Sequence, residues 1–340
     1  MTLPVVALLA STAIAPESWI QELGGTFARD GSGAVIEISL RGTFVSDSDL
    51  DRLATFPKLR KLDLSRTHVN DGALESLKAL TALRDLDLTF AEHITDAGMA
   101  RLRAVKGLER LELEGTKVTD SGIPAISWLK NLRALNLRST QITDGALEGL
   151  EPLTELERLS IGGNRIAGFG LVFLRVLPRL KHLDLSGVQL TDDGIWSVSL
   201  TDLNVGMLAE LKGLESLNIG SARLGPVAAI PDGGIRESST IRITDLGIEK
   251  LGALKELRSL NLRRAEITAR GIQSLATLPK LSNLVLSDIG PLDLAAVSAL
   301  ENLSQLKVLD LSGVDLPEGS GPALLAKGGM RIIGVGRGAE

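Results

Sequence analysis

The chain has 340 residues, 44% of them hydrophobic and 23% charged, with a formal charge of −5. This balance supports a buried core and excludes a dedicated nucleic-acid binder, which would carry a basic stripe and a high pI; three Trp, six Phe and no Tyr also leave few rings for stacking single strands. The absence of cysteine removes disulfides, thiolate nucleophiles and zinc–thiolate sites together, and leaves the redox compartment open.

Residues 1–15 form an apolar run ending in Ala13-Ile14-Ala15 before Pro16. This pattern suits the apolar region and cleavage box of a secretory signal, although the positive leading residues are missing. A frayed or buried segment, or the truncated end of a longer chain, is the other reading. An extracytoplasmic location is narrowly favoured over a cytoplasmic one. The run is too short to cross a membrane, and no later segment is expected to cross one. Residues 16–34 read as an N-terminal cap: a short helix with Trp19, Ile20 and Leu23, a Gly24-Gly25 turn, and a small hairpin through Asp30-Gly31. Trp19 and Phe27 are expected to cover the open end of the core.

From Val35 to Gly329 the chain repeats. Leu59-Leu62-Leu64-Thr67 recurs as Leu108-Leu111-Leu113-Thr116 and Leu132-Leu135-Leu137-Thr140, with drifted copies starting at Val35, Leu83, Leu156, Leu180, Leu214, Leu257, Leu281 and Leu306. This makes about eleven units, most of them 24 or 25 residues long. The Leu-x-Leu core alternates with period two and predicts a short strand buried on one face. A second signature follows, as in Ile94-Thr95-Asp96-Ala97-Gly98 and Val118-Thr119-Asp120-Ser121-Gly122, in which Thr and Asp are natural helix N-caps. Apolar residues then recur every third position, as at Leu74, Leu77 and Leu80, and predict a short helix; Pro57, Pro178 and Pro279 fall where such helices stop. One unit buries too little apolar surface to offset its own backbone entropy, so the units must stack.

Two units are overlong. The first excess is placed near 197–206, after the start of its helix, and the second at 225–241, a Pro/Gly/Ser-rich loop. At the far end, residues 330–340 are expected to give an edge strand from Arg331 and a fraying tail.

The pattern resembles leucine-rich-repeat proteins of the Ile-Thr-Asp-x-Gly-Leu type, similar to the cysteine-containing repeats of F-box proteins and to some bacterial effectors. The resemblance implies an α/β leucine-rich-repeat solenoid, a horseshoe with parallel strands on its concave face and short helices on its convex face. It also implies a non-catalytic scaffold that binds another protein. No F-box-like segment precedes the repeats, so the ubiquitin-ligase role of some relatives does not carry over.

No catalytic or metal constellation is evident, and no cofactor is expected. The three histidines, His68, His93 and His182, share neither a unit nor a metal-ligand spacing. Ser46-Asp47-Ser48-Asp49 superficially suggests calcium but occupies a helix-capping position. The Gly162-Gly163 pair lacks the Lys-Ser/Thr of a phosphate loop.

The third, fifth, seventh and eighth positions of each unit are expected to point onto the concave sheet. In the early units they bring Lys61, Asp63, Arg66, Asp85, Asp87, Phe90, Arg110, Glu112, Glu114, Arg138 and Arg158 together as a candidate protein-binding surface. Cross-strand pairing of the same charges on a solvated sheet is the competing reading. The middle units are small and neutral and should leave room above the sheet. The 225–241 loop, with Arg236, is expected to wall that room, with Arg263 and Arg264 at its border. The chain is expected to act as a monomer; a structural cell-envelope or surface role is the alternative.

Overall fold

The structure, a computed structural model, describes residues 15–191, 194–221, 241–320 and 329–334. The Leu-x-Leu segments are three-residue strands stacked in chain order as a parallel ladder. Lys61–Asp63 pairs with Asp85–Asp87, then Arg110–Glu112, Ala134–Asn136, Arg158–Ser160 and His182–Asp184. The central leucines keep register, with Leu62 opposite Leu86 and Leu86 opposite Leu111. His182–Asp184 then pairs directly with Ser216–Asn218, and that strand with Ser259–Asn261. The ladder therefore runs on without a break from each overlong unit to the next. Asn283–Val285, Val308–Asp310 and Arg331–Ile333 complete a sheet that has 13 strands among the described residues. No helix among the described residues is long and apolar enough to cross a membrane.

Opposite the sheet lie short helices of two kinds. Asp96–Leu102 and Asp245–Leu251 are α-helical, whereas Asp47–Thr55, Asp71–Ala79 and Phe169–Val176 are 3-10 helices. An apolar residue at every third position matches the 3.0 residues per turn of the 3-10 helix. Leu74 and Leu77 accordingly face the core, and Leu80, just past the helix end, is buried with them.

The Thr-Asp-x-Gly signature caps its own helix and also locks each unit to the next. Thr95 does the capping, accepting from the Ala97 N–H at 3.3 Å. Asp96 instead reaches the following unit, accepting from the Thr119 N–H at 2.8 Å and the Thr119 hydroxyl at 2.6 Å. Asp71, Asp120, Asp202 and Asp245 do the same for Thr95, Thr143, Thr244 and Thr268. The glycine makes room for that carboxylate: a Cβ on Gly122 would lie 2.5 Å from Asp96 Oδ1, and one on Gly98 2.4 Å from Asp71 Oδ1. At Ser46 the acidic run is indeed a cap, since the Ser46 N–H and hydroxyl both donate to Asp49.

The first excess differs in place from the expectation. An antiparallel hairpin pairs Val188–Thr191 with Gly194–Ser197, ahead of the working signature Leu200-Thr201-Asp202. Leu190-Thr191-Asp192 imitates the signature, which is why sequence periodicity placed the excess at 197–206. Residues 222–240, most of the second insertion, and the signal-like residues 1–14 lie outside the described residues.

At the amino end, helix Ser18–Glu22 packs Trp19 and Ile20 into the core, and Thr26–Arg29 pairs antiparallel with Val35–Ser39.

Candidate functional site

The fifth-position polar residues close the end of each strand. Asp63 accepts from the Ser65 N–H at 2.9 Å, Asp87 from the Thr89 N–H at 2.8 Å, and Asn136, Asp184, Asn261 and Asp310 repeat the contact two residues on. A short side chain with an acceptor oxygen is what this local turn requires. Asp63 and Asp87 thus serve the fold, whatever else they meet. Glu112, one methylene longer, pairs instead with Arg110 at 3.1 Å.

Much of the early charge is matched across strands, as the competing reading holds. Arg110 lies 3.7 Å from Asp85, and Arg138 lies 3.9 Å from Glu114 and 2.9 Å from Asp184. Burial pushes the Asp85 carboxyl up from its ordinary range, with Arg110 and Lys61 opposing and Glu112 and Asp87 adding to the rise. Burial likewise lowers the His182 imidazole, with the Arg158 charge acting in the same direction. Lys61 and Arg158 are exposed on this face.

Two expectations about the sheet surface are corrected. Gly162, Gly163, Gly220 and Ser221, placed on the concave surface from their seventh and eighth positions, are buried. The small-residue floor is also occupied along one stretch: the Arg138 guanidinium spans the Gly162 unit to reach Asp184 and the Ser186 hydroxyl, at 2.9 and 3.2 Å. Arg263 is tied to Asp288, at 3.0 and 2.7 Å, and Arg264 is half-buried at the next position. Arg236 lies outside the described residues.

The eighth position carries the least expected feature. Its backbone is left-handed, as at Gly42, Gly115, Gly163, Gly187 and Gly313, where glycine meets the demand without a steric cost. Arg66, Phe90, Ser139, Arg264 and Asp288 adopt the same conformation with side chains, Arg66 at φ 57° and Phe90 at φ 56°. For bulky residues such backbone is a true outlier, and outliers of this kind gather at functional sites. The Arg66 guanidinium sits 5.2 Å from the centroid of the Phe90 ring. The ring itself lies against Gly115, where a Cβ would come within 2.3 Å of it. Phe90 remains 39% exposed.

Three surface features escaped sequence reasoning. His68 and His93, which share no unit, are brought together by stacking of adjacent units, with ring centroids 5.9 Å apart. Their separation of 25 residues is one repeat, and that period was the available signal. Phe44 is 87% exposed at the same repeat position as His68. Trp128 is 57% exposed beyond the helical side, with the Arg103 guanidinium 4.5 Å from its ring.

A parallel ladder of Leu-x-Leu strands, backed by short helices and interlocked by Thr-Asp pairs, defines a leucine-rich-repeat solenoid. The chain belongs to the leucine-rich repeat region family, whose model matches residues 39–324. No functionally curated protein matches it. Among solved structures it is similar to an internalin (InlF) of Listeria monocytogenes, at 20% identity and a TM-score of 0.57, covering 94% of this chain and 92% of that one. It is also similar to a leucine-rich-repeat protein of Leptospira interrogans, at 20% identity and a TM-score of 0.50, covering 83% and 74%. At such identity the likeness speaks for the fold alone.

Proposed function

We propose that this chain is a non-catalytic scaffold that binds a protein partner on the amino-terminal half of its concave face, with Arg66 and Phe90 as the anchor. The carrying observation is that these two side chains occupy left-handed turns where other units have glycine, and stack on one another. Arg and aromatic residues dominate the energetics of protein interfaces, and leucine-rich repeats commonly mediate protein–protein contacts. Lys61, Asp85, Arg110, Glu112, Glu114, Arg138 and Arg158 form the polar surround that sets orientation and specificity. The apolar first fifteen residues favour export, and a bacterial origin accords with that of both structural neighbours.

The test is capture by the full chain, followed by mass spectrometry, with the same capture by an Arg66→Ala/Phe90→Ala variant and by Trp128→Ala. A protein retained by the wild type and by Trp128→Ala, but lost with the double variant, supports the reading. Loss with Trp128→Ala alone moves the interface to the opposite side and overturns it.

A further inference from the structure

We propose that His68 and His93 together form a chelating site for a divalent transition-metal ion. They occupy the same position in adjacent units, and their rings lie 5.9 Å apart, tilted by 40°. With metal–nitrogen bonds of about 2.0–2.1 Å, two imidazoles sharing one ion at a right or tetrahedral angle have centroids roughly 4.5–5 Å apart, so rotation of the two exposed rings has to bring them about 1 Å closer. Both side chains are exposed, so solvent metal reaches them.

The backbone beneath is held firmly. His68 lies between buried Thr67 and Val69, with the Thr67 hydroxyl donating to the Leu64 carbonyl at 2.6 Å. His93 precedes buried Ile94 and bridges in parallel to Asn70. A fixed pair of bases loses less freedom on chelation than two mobile ones. The same position holds Phe44 in the preceding unit and Lys117 in the following one. Lys117 disfavours a cation beside it, whereas the Glu92 carboxylate, adjacent to His93 in sequence and exposed, offsets that charge. No group of three or more His, Cys, Asp or Glu residues is poised to hold an ion among the described residues. The site is therefore an open two-nitrogen chelate with water in the remaining positions. Imidazole donors suit Cu(II), Ni(II) and Zn(II), with Cu(II) held most tightly, and not Mg(II) or Ca(II).

Titrating the full chain with Cu(II), by calorimetry and by electron paramagnetic resonance, tests this. A single equivalent bound through two nitrogens is expected, displaced by excess Zn(II) but not by Mg(II). His68→Gln or His93→Gln should each weaken it about tenfold or more, and thermal melting shows whether each variant is folded. His182→Gln should leave binding unchanged. Undiminished Cu(II) affinity in both His68→Gln and His93→Gln, or an equal loss in His182→Gln, overturns the site.

Discussion

The guanidinium of Arg138 lies 2.9 Å from the Asp184 carboxylate, with the whole Arg158–Ser160 strand between the two units that carry them. The unit that this bridge crosses carries Gly162 and Gly163 at its seventh and eighth positions. The bridge also brings Arg138 within 2.7 Å of where a Cβ on Gly187 would stand. One side chain thus ties two units across the unit that lies between them.

Gly162 is held to glycine by the neighbouring backbone, since a Cβ there would lie 1.6 Å from the Ser186 carbonyl oxygen. Backbone cannot rotate away as a side chain can, so Gly162→Ala must push adjacent units away from each other. An overpacking cost of about 1–3 kcal/mol follows, read as a lower urea midpoint at unchanged slope. An unaltered midpoint would mean that the two segments are not in contact.

Asp96→Ala tests the interlock. The substitution leaves the half-buried Thr119 N–H and hydroxyl without their acceptor, at a cost of about 1–3 kcal/mol. Asp96→Asn keeps one acceptor oxygen and should lose less. Because solenoid units couple mainly to nearest neighbours, hydrogen exchange should quicken in the helices around 96–102 and 120–126 before it does so in distant units. Uniform acceleration along the array would contradict a local tie.

These contacts show what was legible from sequence. The strand register, the helix positions and the family all followed from the spacing of Leu59, Leu62, Leu64 and their copies, because burial on one face imposes a period. The capping role of Thr95 was legible too, being local. The reach of Asp96 to Thr119 was not, since propensity describes a residue's own helix and not the next one. Nor was the left-handed backbone at Phe90: the glycines at 42, 115, 163, 187 and 313 mark the position, but only an aligned column of repeats shows that Phe90 stands in it. The hairpin at 188–197 was misplaced because Leu190-Thr191-Asp192 copies the signature that Leu200-Thr201-Asp202 in fact fulfils.

Asp85 should give the concave face a measurable pH dependence. Its carboxyl is raised, first by burial, so the folded state binds that proton more tightly than the unfolded state does. Stability linked to this group is therefore greatest in acid and declines as pH rises from the ordinary carboxylate value through the raised one. Asp85→Asn cannot ionise and should flatten that region of the curve. Urea midpoints between about pH 3 and 7, compared for the two proteins, check this. Parallel curves would mean that Arg110 and Lys61 fully compensate the burial.

The amino-terminal segment should prove indispensable to solubility. The first repeat buries Ile38, Leu40, Leu50 and Leu53, and a repeat array with no neighbour on one side exposes such a flank. Helix Ser18–Glu22 places Trp19 against the core at 1% exposure, with the Arg52 guanidinium 4.8 Å from its ring. Thr26–Arg29 covers the outer edge of Val35–Ser39, and it is the antiparallel member of an otherwise parallel sheet. Its own outer edge is short, which limits pairing with another chain. Among the described residues the buried Trp19 indole N–H has no hydrogen-bond partner, so the ring is held there for its apolar bulk rather than for a hydrogen bond. Trp19→Phe should accordingly be tolerated, whereas Trp19→Ala should cost about 3–5 kcal/mol. Deleting residues 16–34 should lower the melting midpoint and drive association, seen as early elution in size-exclusion chromatography. A deleted protein that elutes as the intact chain does, with an unchanged melt, would show that the repeats close their own end.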